Sequence, residues 1–156
     1  VWRLSARFTL EEMVVVMLLA AILVAVTATR WNATDATAPY QADLLARNIR
    51  HMQMLAMSWG QSLRLTAAGS SYSVACVITA GAAPCNVPTV VDPASGQPFS
   101  VTLSNGVTIG AASTTIDSMG RPVPVTTGTT YTLNAGASTW TVSVAPLTGF
   151  TTVSSP

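Results

Sequence analysis

The sequence predicts an α+β protein: a long N-terminal helix over residues 8–59, packed on a small antiparallel β-sheet domain over residues 60–156. Three observations carry this expectation. From Phe8 to Ala28 the text FTLEEMVVVMLLAAILVAVTA is almost wholly apolar. From Tyr40 to Trp59 apolar residues recur at steps of three and four, at Leu45, Ile49, Met52, Ala56 and Trp59. After Gly60 the composition turns to Thr, Ser, Val and Gly with scattered Pro, which suits short strands and tight turns. A chain of 156 residues gives room for one domain with a single core.

The apolar run comes first. As a helix, residues 8–28 would measure about 32 Å, enough to span a bilayer. Arg3 and Arg7 precede the run and Arg30 follows it, a flanking charge that favours a cytoplasmic N-terminus and leaves everything after Trp31 outside. Thr9 and Glu12 are spaced as a capping box, and Glu11 and Glu12 suit the positive end of the helix dipole. A carboxylate just inside an apolar segment is also costly unless a partner neutralises it, so it marks a functional contact. A cleaved secretory signal peptide is the competing reading. The basic start, the core from Met13 to Val26 and the small run Val26-Thr27-Ala28 fit its outline, whereas Glu11 and Glu12 have no place in one.

Trp31 to Pro39 reads as a weak, polar break before the amphipathic half of the helix, and Gly60 as its stop. His51, beside Arg50 and without a second His or a thiolate nearby, reads as a surface or packing residue. Strands are expected at Ser62–Thr66, Tyr72–Thr79, Phe99–Leu103, Thr114–Asp117, Thr130–Leu133 and Thr139–Val144. Asn134 to Ala137 reads as a hairpin loop, and Asn105-Gly106 and Met119 to Pro122 as turns.

Cys76 and Cys85 bound the segment CVITAGAAPC. In an oxidising compartment they would pair; two buried free thiols in a cytosolic domain would conflict with the topology above. Composition closes other routes. Charged residues are 8% of the chain, and seven Arg against six acids leave a net charge of +1, so no broad basic field exists to hold nucleic acid. One His and two Cys cannot build a His-rich metal centre or a four-cysteine zinc site, and no metal or cofactor is expected. No G-x-S-x-G, H-E-x-x-H or Gly-rich phosphate loop occurs, and no catalytic residue is assigned.

The run Phe8-Thr9-Leu10-Glu11-Glu12-Met13, after a short Arg-containing leader and before a long apolar helix, resembles the N-terminal processing motif of type IV pilins and pseudopilins, G-F-T-L-x-E. Phe8, Thr9, Leu10 and Glu12 match it, and the order of one long helix and then a small β domain is also the family's. Shorter similarities, over Ile116 to Pro122 and Thr141 to Gly149, point to minor subunits related to pseudopilin H, FimT and the minor pilins of mannose-sensitive haemagglutinin pili. Two positions depart from the pattern. Arg7 stands where the family has Gly, and the helix-kinking proline of many major pilins is missing from Val26 to Arg30, which fits a minor subunit or pseudopilin better.

The resemblance implies a structural subunit, not an enzyme. Residues 1–7 would be a leader, Arg7 and Phe8 the processing site for a prepilin peptidase, and residues 8–28 the transmembrane and assembly segment. Phe8, with an N-methylated amine, and Glu12 would be assembly residues. The subunit would sit in the bacterial inner membrane with its β domain periplasmic, and then join other pilin or pseudopilin subunits in a pilus or pseudopilus. A ligand-binding minor pilin, for DNA uptake or adhesion, is the alternative. Beyond residue 60 only Arg64 and Arg121 are basic, which disfavours DNA as a partner.

Overall fold

The computed structural model describes residues 10–28, 33–77, 84–85 and 89–155. The chain falls into two compact units, Val1–Asn32 and Ala33–Pro156. In the first, helix α1 spans Leu10–Ala28. In the second, helix α2 spans Ala33–Trp59 and is followed by eight strands: β1 (Leu63–Gly69), β2 (Ser71–Cys76), β3 (Ser100–Thr102), β4 (Thr108–Ile116), β5 (Pro122–Val123), β6 (Thr129–Ala135), β7 (Ser138–Val144) and β8 (Thr151–Ser154).

Helix α2 starts earlier than its periodicity suggests. The stretch 33–39, read as part of a break, is helical, with Pro39 inside the helix. Proline cannot donate to the carbonyl four residues back, a local loss. Burial of Ala38 and Ala42 at 0% exposure offsets it, an instance of tertiary packing overriding propensity. The C-terminus falls where Gly60 predicted it: Gly60 adopts φ +63°, the left-handed conformation that ends helices, and Gln61 N–H donates to the Ala56 carbonyl.

The strands form one sheet in the order β3-β2-β1-β4-β6-β7-β8, with β5 also on β4. All the pairings are antiparallel. Two tight hairpins set the registers. In β1–β2, Ala68 opposes Ser71; in β6–β7, Ala135 opposes Ser138. The loop expected over Asn134–Ala137 therefore shrinks to Gly136-Ala137, with Gly136 at φ +60°. Asn105 and Gly106 form the predicted turn, both with positive φ and closed by Val107 N–H on the Ser104 carbonyl. It is not a hairpin turn, because β4 crosses to the far side of β1.

Three strands differ from expectation. β4 begins at Thr108, six residues before the predicted start, since small residues without alternation (Gly110, Ala111, Ala112) are drawn into the sheet by pairing with β1. β5 and β8 are two and four residues long, too short to show a period, and exist through pairing with β4 and β7. β2 ends at Cys76, and the predicted extension to Thr79 lies outside the described residues.

One face of the sheet is covered by α2. The buried side chains alternate along the strands as Leu63, Leu65 and Ala67; Tyr72, Val74 and Cys76; Tyr131, Leu133 and Ala135; Val142 and Val144. Against them α2 turns Ala42, Leu45, Ile49, Met52 and Ala56, all fully buried. Each large apolar side chain placed there contributes about 1.5–3 kcal/mol from removal of its surface from water. β4 pairs with β6 only at Thr108 and Ile109 and with β5 only at Thr115 and Ile116. Tyr131 fills the divergence: its ring is fully buried and its hydroxyl donates to Thr114 Oγ1 at 2.7 Å. Burial pushes the Tyr131 hydroxyl up to about 12, so it stays a neutral donor.

The core makes a direct prediction. Ile49→Ala should cost about 2–5 kcal/mol of unfolding free energy through lost transfer energy and the cavity left behind. Met54→Ala, at a 58% exposed position one turn on, should change it by less than about 0.5 kcal/mol. Denaturant unfolding of both variants measures the contrast.

Candidate functional site

The N-terminal unit presents an unusual surface. Every large apolar side chain of α1 from Leu10 to Val24 is more than half exposed, from 52% at Ile22 to 83% at Leu10. The exposed residues lie all round the helix, which has no polar face beyond Glu11 and Glu12 in its first turn. A helix apolar on every side needs an apolar surround, lipid or other helices. Among the described residues no helix is long and apolar enough to cross a membrane. The expected processing pair Arg7 and Phe8, and the Thr9 half of the capping box, lie outside the described residues. Glu12 is on the exposed surface of α1, next to Glu11.

In the second unit Cys76, the last residue of β2, is disulfide-bonded to Cys85, with Cα atoms 5.8 Å apart. Both cysteines are buried, and the bridge joins residue 85 to the end of β2.

Polar side chains on the flanks of α2 fasten the helix to the loops around it. Gln41 Nε2 donates to Ser104 Oγ at 2.8 Å and Asn48 Nδ2 to the Tyr72 hydroxyl at 2.8 Å. Arg50 donates to the Thr151 carbonyl at 2.9 Å, anchoring β8. Gln53 Nε2 reaches two carbonyls, Gly120 at 3.1 Å and Thr148 at 3.4 Å. The two segments singled out in the second half of the sequence, 116–122 and 141–149, thus converge on one helical side chain. Both glycines at this junction have positive φ, and a Cβ at either would strike α2: Gly120 against the Met57 sulfur, Gly149 against the Gln53 amide.

The 117–121 turn is self-organised. Asp117 accepts from the backbone N–H groups of Met119 and Arg121 and from both Nε and a terminal nitrogen of the Arg121 guanidinium. Burial works against the Asp117 charge, but the Arg121 and Met119 hydrogen bonds outweigh it and hold the carboxyl below its usual range. Asp92 is lowered too, chiefly by the Ala94 N–H and then, against a desolvation penalty, by His51 and Ser95.

His51 has a packing role. Its Nε2 is 3.0 Å from Asp92 Oδ1 and its ring lies 5.6 Å from that of Phe99. Ser95 also binds Asp92, on the other oxygen. The carboxylate therefore stands between Ser95 and His51, whereas nucleophile activation needs the imidazole in the middle. Among the described residues no group of three His, Cys, Asp or Glu could hold a metal ion.

No protein-family model matches the sequence, and no curated protein does. Solved structures do match. The minor pseudopilin EpsH of the type 2 secretion system of Vibrio cholerae is 13% identical, with a TM-score of 0.57 over 76% of this chain and 97% of that one. Two crystal structures of the type IV minor pilin FimU of Pseudomonas aeruginosa are 13% and 15% identical. Their TM-scores are 0.53 and 0.51, over 78% and 74% of this chain and 90% and 94% of theirs. The chain has a pilin-type fold. At these identities the likeness is one of architecture: a helix laid on an antiparallel sheet. In the pilin-type fold of this chain, Gln53, Arg50, Asn48 and Gln41 set how the sheet and its loops sit on the helix. Sequence reading passed over the three amides, because a polar residue on the flank of an amphipathic helix gives no sign of its partner.

Two measurements follow. Non-reducing peptide mapping should recover the Cys76–Cys85 crosslink, and replacing both cysteines by Ala should cost about 2.5–3 kcal/mol, the loop-closure contribution for so short a loop. The Asp92 and Asp117 carboxyls lie below their unfolded values, so their contribution to stability is fully present above about pH 4 and is lost as pH falls through the lower folded values. The Asp92→Asn, Asp117→Asn double variant should therefore show a flatter decline of unfolding free energy below pH 4 than the parent.

Proposed function

We propose that this protein is a minor pilin or pseudopilin: a structural subunit of a pilus or pseudopilus, held in the bacterial inner membrane by residues 8–28 until it is assembled. The observation that carries this reading is the joining of a pilin-type fold to a helix whose apolar surface is exposed on all sides. Such a helix leaves lipid only for an equally apolar site, and a bundle of like helices offers one. The N-terminus faces the cytoplasm, the sheet unit lies in the periplasm and later on the outside of the assembly, and a prepilin peptidase removes residues 1–7. Other pilin-type subunits are the partners. DNA is disfavoured, because Arg121 is committed to Asp117 and Arg64 to the Thr115 hydroxyl at 3.1 Å.

Within this reading Glu12 is the assembly residue. Carrying the Glu12 carboxylate into the apolar centre of a filament would be unfavourable by several kcal/mol, and the amine freed on Phe8 of an adjacent subunit supplies a cation that offsets this. Glu11 serves the helix dipole, worth about 0.3–1 kcal/mol.

The test compares subunit abundance in sheared filaments with that in membranes, after intact-mass analysis has located the mature N-terminus. Glu12→Ala should insert and fold normally yet be depleted from filaments, while Glu11→Ala should assemble nearly as the parent does. Equal incorporation of Glu12→Ala and parent would refute the role of Glu12. A mature chain that begins after Ala28 would refute the reading as a whole.

A further inference from the structure

Thioether sulfur is concentrated at one place in this chain. Of its six methionines, Met52, Met54 and Met57 fall within two turns of α2, and Met119 lies in a turn that α2 contacts. Met52 is fully buried against the sheet, whereas Met54, Met57 and Met119 are 58%, 50% and 62% exposed. Met54 and Met57 are three residues apart and therefore neighbours on the helix surface, with about 5–6 Å between their Cβ atoms. Gln53 and Met57 share the flank of α2 that faces the 117–121 turn. Gln53 donates to the Gly120 carbonyl, and the Met57 sulfur lies so close to Gly120 that a Cβ there would stand 2.8 Å from it. Met119 immediately precedes that glycine, its N–H held by Asp117 at 2.9 Å. A fixed turn thus brings the Met119 backbone next to the Met57 sulfur, within reach of a flexible, unbranched side chain.

We propose that Met54, Met57 and Met119 form a three-thioether site for a soft monovalent cation, Cu(I), with Ag(I) as its redox-inert probe. Thioethers are soft, neutral donors that select such ions over hard ones. The harder donors around them are already committed. The Asp117 carboxylate accepts from two backbone N–H groups and from the Arg121 guanidinium, and His51, on the other flank of α2, is bound to Asp92. Both cysteines are in the disulfide, so no thiolate competes for a soft ion. Binding breaks no covalent bond, moves no electron and releases no proton, because a thioether carries none; a Cys or His site must lose a proton first. The bound ion would join α2 to the 117–121 turn, in parallel with the hydrogen bond from Gln53 to Gly120. This inference is independent of the assembly reading above.

The experiment titrates Ag(I) into the full chain in detergent micelles, with the six methionine methyl groups carrying ¹³C for NMR. The methyls of Met54, Met57 and Met119 should shift together and saturate at a single equivalent, while that of Met52, enclosed in the core, stays where it is. Met57→Leu and Met119→Leu, which keep an apolar side chain of similar volume, should each weaken Ag(I) binding by about tenfold or more, since losing even a supporting residue does so at metal sites. The affinity of the parent should be the same at about pH 7 and pH 5, a range over which an imidazole ligand would be lost to protonation. Ag(I) should also raise the unfolding temperature of the parent and not that of either variant. The site is overturned if the three methyls respond with different midpoints, or if only Met13 and Met17 of α1 respond. It is equally overturned if Met119→Leu binds as tightly as the parent, because the turn then supplies no ligand. The methyl shifts are read on the parent itself, so the result does not depend on either variant folding.

Discussion

The burial of one stripe of α2 against one face of the sheet is the interaction on which the rest of the structure depends. Ala42, Leu45, Ile49, Met52 and Ala56 are fully enclosed, and the alternating inward residues of β1, β2, β6 and β7 are enclosed only because the helix is there. The other face of the sheet is open, so neither layer has a second surface on which to bury its apolar side. Alanines at 38, 42, 46 and 56 let the helix approach the strands closely, while Leu45, Ile49 and Met52 fill the space between.

Once the helix is seated, its flanks dictate the loops. Gln53 holds the 117–121 and 145–150 turns together through their carbonyls, and the absence of a side chain at Gly120 and Gly149 lets both turns come close to α2. The Asp117–Arg121 network closes one of those turns on itself. His51 does the same work on the other flank, tying α2 to the 92–97 loop through Asp92. These contacts commit His51, Asp92, Asp117 and Arg121 to internal tasks.

The two units answer different requirements. The sheet unit encloses an apolar core of its own; the large apolar side chains of α1 are exposed on every side.

The helical stretches 10–28 and 40–59, their order before the strands, the Gly60 stop and the Asn105-Gly106 turn were legible in the sequence, because each is set by local composition, by periodicity or by a residue with a special backbone conformation. The acids at Glu11 and Glu12 were legible for a related reason: a charge is conspicuous at the mouth of an apolar run. Tertiary structure alone decided the helical state of residues 33–39, the early start of β4 and the very existence of β5 and β8. In these segments propensity is weak or adverse, and pairing with distant strands or packing on the sheet supplies the free energy. It alone also decided which polar side chains are consumed and which are left over. Gln53 borders the apolar stripe of α2, but only the fold brings Gly120 and Thr148 to it, since those partners are contributed by segments some 70 to 100 residues away.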